Sequence, residues 1–205
     1  MSGIGFLNLP DPTDEAQVRF DEDVADLGYV MNVSRLWAYQ PGTFQGLFGL
    51  MRAAVAGHDL DVRQRGILVA ACASTLGDSY CALAWGGKLA AASDSHIAAA
   101  VIRGDDAALT AREAVMANWA RKVARDPNGT SRTDVQALRD VGFSDPAIFA
   151  ITVFVALRLA FSTVNDALGA APDAALRSSS PPAVLEAVTF GRPIASSTSE
   201  NSPPG

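Results

Sequence analysis

Gly77-Asp78-Ser79-Tyr80-Cys81-Ala82-Leu83-Ala84-Trp85 sets a cysteine three residues past an aspartate that can cap a helix, directly after a glycine that ends the helix before it. Asp61 caps an apolar run from Val62 to Leu76, and the run after Asp78 continues to about Ala92, so this stretch predicts a helical hairpin turned at Gly77. With Asp78 as N-cap, Cys81 takes the third helical position, where free backbone N–H groups and the positive end of the helix dipole favour a thiolate. Asp78 is also a carboxylate on the same turn, and a carboxylate raises a thiol pKa. The two effects oppose each other, and the sequence does not fix the sign of the net shift.

Outward from the hairpin, apolar residues recur at three- and four-residue spacings from about Asp14 to Leu168, with almost no alternation of period two. The chain is predicted to be all-α. The first helix is expected from Thr13 or Asp14 to Leu27, with Val18, Phe20, Val24, Ala25 and Leu27 on its inner side and Gly28 as its C-terminal cap. Val33 to Tyr39 and Pro41 to Val55 follow, then, after the hairpin, His96 to Ile102. Thr110-Ala111-Arg112-Glu113 is a capping box opening a helix that stops before Pro127. Thr133 to Val141 ends at Gly142, and Ser144-Asp145-Pro146 opens a long apolar helix closed at Gly169. Three regions result: residues 1–30, an extension and first helix; residues 31–173, the helical core; residues 174–205, a Ser/Pro linker, a short helix over Val184 to Phe190, and a tail expected to be disordered from Ser196.

Composition narrows the function classes. Two lysines and fourteen arginines against 22 acidic residues give a net charge of −6, which offers no broad basic surface for nucleic acid or an anionic membrane. The first thirty residues lack a basic segment followed by an apolar one, so no secretory signal is expected and a cytoplasmic location is the default. The apolar run Ala147 to Leu157 is shorter than the roughly 18–20 residues of a bilayer span. Cys72 and Cys81 are too few for a disulfide framework, which suits a reduced compartment.

A helix, a short glycine turn and a Tyr-Cys pair opening the next helix resemble the carboxymuconolactone decarboxylase and AhpD-like alkylhydroperoxidase superfamily. Pro41 to Val55, Arg63-Gln64-Arg65, Thr110 to Asp126, Leu138-Arg139-Asp140-Val141-Gly142-Phe143-Ser144-Asp145 and Asp166-Ala167-Leu168-Gly169 are similar to its longer, peroxidase-related branch, over about Val30 to Asp173. The resemblance implies an AhpD-like helical domain whose hairpin carries the cysteine site, a homo-oligomer, no cofactor and a small-molecule substrate. In the family's peroxidases a Cys-x-x-Cys-x-x-x-His element works with an upstream glutamate. Aligned on Tyr80-Cys81, the attacking cysteine is Cys81, the resolving cysteine falls on Asp78, the histidine on Trp85 and the glutamate on Gly66, while the family's Asn-Arg pair falls on Ser162-Thr163. The dithiol cycle is thereby lost.

The candidate residues each admit two readings. Cys81 is either a single peroxidatic thiol rescued by an external thiol reductant or a buried small hydrophobe. Asp78 is either a proton-transfer group or only a helix cap. Tyr80 and Trp85 line a substrate pocket or belong to core and interface. Cys72 reads as core, and His58 and His96 as surface residues without ligand spacing, so no metal site is assigned. Arg158 and Asn165 share one face of the long helix, to order a carboxylate or to pair with Asp166 or a second protomer. Three functions follow: hydroperoxide reduction at Cys81, a cofactor-free lyase or isomerase on a small organic acid using Asp78, and non-catalytic ligand binding or assembly.

Overall fold

The computed structural model describes residues 5–58 and 60–196, and among these it contains eleven α-helices and no strand. In chain order they are α1 (Asp14–Leu27), α2 (Asn32–Trp37), α3 (Pro41–Val55), α4 (Val62–Leu76), α5 (Ser79–Ala92), α6 (Ser95–Arg103), α7 (Ala111–Arg125), α8 (Arg132–Asp140), α9 (Asp145–Ala167), α10 (Leu176–Ser179) and α11 (Pro182–Ala187). The starts are set by side chains that satisfy free N–H groups. Asp61 with Gln64, Thr110 with Glu113 and Ser131 with Asp134 form capping boxes, and Thr13, Asp78, Asp94 and Ser144 cap singly. Between α4 and α5 the backbone turns at Gly77 with φ of 79°, a left-handed conformation that a side chain would strain.

Helix α4 is the axis of the bundle. Every residue from Gly66 to Ala73 is buried, and α4 packs against α5, α6, α7 and α9. Its alanines and Gly66 permit close approach: a Cβ at Gly66 would lie 3.0 Å from the Cβ of Leu89 on α5. Helix α9 runs past α3, α4, α7 and α8 and buries Ile148, Ile151, Phe154, Val155 and Phe161. By length and composition α9 is apolar enough to cross a membrane, yet here it is a packed strut of the bundle. It exceeds the run Ala147 to Leu157 because Arg158, Ser162 and Asn165 continue its buried face.

Two expectations require correction. The inner face of α1 is formed by Ala16 and Asp23, whereas Val18, Val24 and Leu27 are about half exposed. Asp23 decides the orientation, because its carboxylate accepts the Met31 N–H at 3.1 Å and binds Arg19. The short helix expected over Val184 to Phe190 instead spans Pro182–Ala187, and the Ser/Pro stretch before it contains the turn of α10. Val184 of α11 is fully buried, and α11 packs on α6 and α5 where Gly86 leaves room, a Cβ there meeting Val184 at 2.7 Å. The tail expected to be disordered lies, from residue 197 onward, outside the described residues.

The two ends of the core are joined by one buried carboxylate. Asp173 accepts the Asn32 N–H at 2.7 Å and the Tyr80 hydroxyl, tying α2, α5 and the segment after α9. Tyr80→Phe removes a donor from that carboxylate, and urea unfolding should show a loss of about 1–3 kcal/mol.

Candidate functional site

Cys81 sits on the first turn of α5, 2% exposed, facing α9. The guanidinium of Arg158 donates to its Sγ at 3.4 Å from one nitrogen and to Met51 Sδ at 3.7 Å from another. Ser162, one turn further along α9, brings its hydroxyl to 3.8 Å from the same Sγ. Arg158 is 3% exposed, its Nε has no hydrogen-bond partner, and among the described residues no carboxylate forms an ion pair with it. Aromatic rings complete its surroundings, with Trp85 and Phe161 each 5.3 Å from the guanidinium carbon.

The thiol is held well above the ordinary value of 9.0. Burial is the main cause and the Asp78 carboxylate adds to it, while Arg158 and Ser162 pull the other way. The sign left open by the sequence is thus upward, set first by desolvation and then by the Asp78 carboxylate. Cys72 is pushed up to about 12, first by burial, and both cysteines are free thiols.

Asp78 is completely buried. One carboxylate oxygen accepts the Cys81 N–H at 2.9 Å as the N-cap, and the other has no partner among the described residues. Its charge, after burial, contributes to raising Asp166 to about 6. Asp166 does not pair with Arg158. Instead its carbonyl accepts from Arg192 at 2.9 Å, and the Arg192 carbonyl in turn accepts the Ser79 hydroxyl at 2.7 Å. The segment around Arg192 thereby closes over the start of α5.

The remaining candidates divide. Tyr80 is buried with its hydroxyl given to Asp173 rather than to Cys81. Trp85 is half-buried and lies beside Arg158, with the Lys88 ammonium 4.9 Å from its ring. Asn165 accepts the Trp37 indole N–H at 2.8 Å, and Trp37 stacks on Phe161, so this part of α9 is fixed by aromatic packing rather than by a ligand. His58 and His96 are absent from the groups acting on Cys81. A cavity of about 370 Å³ opens elsewhere, between Ser79, Leu83 and the C-terminal segment.

Sequence reading did not connect Arg158 or Met51 with Cys81. Lys88 was also missed, although its i+3 spacing from Trp85 and i+7 spacing from Cys81 put all three on one helix face.

No family model matches the sequence, and no curated protein does. Solved structures do. A peroxidase-related protein with an alkylhydroperoxidase AhpD core from Ralstonia eutropha JMP134 superposes with a TM-score of 0.75 at 23% identity, covering 86% of this chain and 96% of that one. An uncharacterized peroxidase-related protein from Silicibacter sp. TM1040 gives 0.71 at 25% identity, covering 82% and 91%. The chain has the AhpD-like fold. A third AhpD-like neighbour in shape is the debrominase Bmp8, a cysteine-to-alanine variant in complex with 2,3,4-tribromopyrrole, with a TM-score of 0.69 at 16% identity over 90% of this chain and 99% of that one.

Proposed function

We propose that this AhpD-like protein is a one-cysteine hydroperoxide reductase. The carrying observation is the Arg158 guanidinium: buried, free of carboxylate partners among the described residues, and donating to Cys81 Sγ with Ser162 alongside. Burying a lone cation costs several kcal/mol, and here it serves the charge that develops on sulfur and on the peroxide oxygens. The Cys81 thiolate attacks the outer oxygen of ROOH; the O–O bond breaks, sulfur is oxidised to Cys81–SOH, and the departing alkoxide takes up the thiol proton as ROH. An external thiol condenses with the sulfenic acid, releasing water. A second external thiol then releases Cys81–SH and leaves with the first as a disulfide. The peroxidase-related neighbours favour this chemistry over a lyase at Asp78, and the tribromopyrrole bound by Bmp8 supports a small-molecule substrate.

Cys81→Ser should abolish peroxide consumption in the presence of dithiothreitol, a loss on the order of 100-fold or more, and unchanged turnover overturns the proposal. Since the raised pKa lies above this range and the thiolate fraction below a pKa grows tenfold per pH unit, the rate should climb about tenfold per pH unit from pH 7 to 9 without a plateau. A plateau reached below pH 7 contradicts the sign of the shift.

One observation favours a second reading. A thiol 2% exposed and raised by burial is also what an inert core cysteine looks like, and it fits a ligand-binding or assembly protein of the same fold. That reading gains if mild peroxide leaves Cys81 unreactive toward a sulfenic-acid probe.

A further inference from the structure

Successive residues of an α-helix turn by about 100°, so Cys81, Trp85 and Lys88 form one stripe along α5. Their exposure rises in order: Cys81 is buried, Trp85 half-buried and Lys88 exposed. The stripe therefore runs from the sulfur to solvent with the indole midway. Arg158 spans its inner part, donating to Sγ at 3.4 Å and lying 5.3 Å from the Trp85 ring, while Lys88 lies 4.9 Å from that same ring. Two cations thus flank one indole, and among the described residues neither has an ion-pair partner. Desolvation, then Arg158, then Arg65 of α4 push the Lys88 ammonium below its ordinary value, so positive charge gathers at the outer part of the stripe, while the Asp78 carboxylate acts only at its inner end, on Cys81. Ser79 and Leu83, which border the large cavity, sit on the other side of α5 and lead away from the sulfur.

We infer that the Trp85–Lys88 edge is the entrance to Cys81 and that it selects substrates carrying an anionic group, the hydroperoxide of a carboxylic acid being the class that fits. This rests on the reading of Cys81 as the reactive thiol. An anion is drawn to Lys88, passes the indole, and pairs with the cations while its peroxide end meets Sγ. A neutral hydroperoxide gains nothing from either charge.

The test measures thiol labelling, which requires no turnover, in a Cys72→Ala background so that only Cys81 reports. The probes are the dianionic disulfide dithiobis(nitrobenzoate) and the neutral disulfide dithiodipyridine. At low salt Lys88→Glu should slow the anionic probe about tenfold relative to the neutral one, and added salt should erase the difference. Trp85→Ala should speed both probes several-fold. An unchanged ratio of the two rates in Lys88→Glu overturns the charge selection, and unchanged or slower labelling in Trp85→Ala overturns the entrance. Correct labelling shifts combined with absent peroxide consumption would remove the peroxidase reading and leave the entrance standing.

Discussion

Arg158→Met is expected to give a protein that is more stable and less reactive at once. In the folded chain the guanidinium is shut from water and its acceptors are two sulfur atoms, Cys81 Sγ and Met51 Sδ, which are weak ones, while Nε has no acceptor. Contacts with the rings of Trp85 and Phe161 return about 0.5–2 kcal/mol each, against a desolvation penalty of several kcal/mol. Methionine has a comparable reach and packs well against aromatic rings and Met51. The variant should gain about 1–3 kcal/mol in urea unfolding. Reactivity should move the other way. Arg158 is the main group lowering the Cys81 pKa against burial and Asp78, so its loss leaves fewer thiolates and no cation facing the developing charge. Sulfenic acid formation should fall on the order of 100-fold. A variant that is destabilised as well would make Arg158 a structural support and remove the carrying observation for the peroxidase reading.

The helices were legible because their ends are written locally. Asp61 with Gln64 and Thr110 with Glu113 fix starts within four residues, and Pro41–Val55 and Val62–Leu76 have the ends that spacing and caps predict. What spacing alone does not decide is which face turns inward. On α1 the apolar stripe of Val18, Val24 and Leu27 loses to Asp23, because the carboxylate is held by a backbone N–H eight residues on, at Met31. Likewise Ser178-Ser179-Ser180-Pro181-Pro182 has linker composition, and only the gap left by Gly86 shows why Val184 is drawn into the core. At the site, Asp78 as cap of the Cys81 turn was local and readable. Arg158 was readable as a buried cation but not as a partner of Cys81, since 77 residues separate them and α9 had first to be laid against α5.

Gly66→Glu is expected to unfold the protein rather than repair a proton relay. The position aligns, by resemblance, with the glutamate of the dithiol peroxidases, so the substitution tests whether the missing relay is a matter of one side chain. Packing says otherwise. A Cβ at Gly66 would lie 3.0 Å from Leu89 Cβ and 3.3 Å from Leu89 Cα, and since Leu89 is fully buried on α5, relief requires the two helices to move apart. Overpacking of this kind costs about 1–3 kcal/mol, which Gly66→Ala alone should show, partly offset by the better helix propensity of alanine. The glutamate adds a carboxylate in the most buried stretch of α4, and an uncompensated buried charge costs a further ~3–5 kcal/mol. The sum approaches the whole stability of a typical domain, about 5–15 kcal/mol, so Gly66→Glu should be insoluble or unfold at far lower urea than the parent. Gly87→Glu is the control: it lies on the same hairpin, a Cβ there meets nothing within 4 Å, and its unfolding midpoint should shift little. If Gly66→Glu folds with the parental midpoint, α4 and α5 can separate at small cost and the loss of the relay is reversible. If it does not, the approach of α4 to α5 excludes a glutamate here by packing, and no single substitution at Gly66 restores the relay that the resemblance would place there.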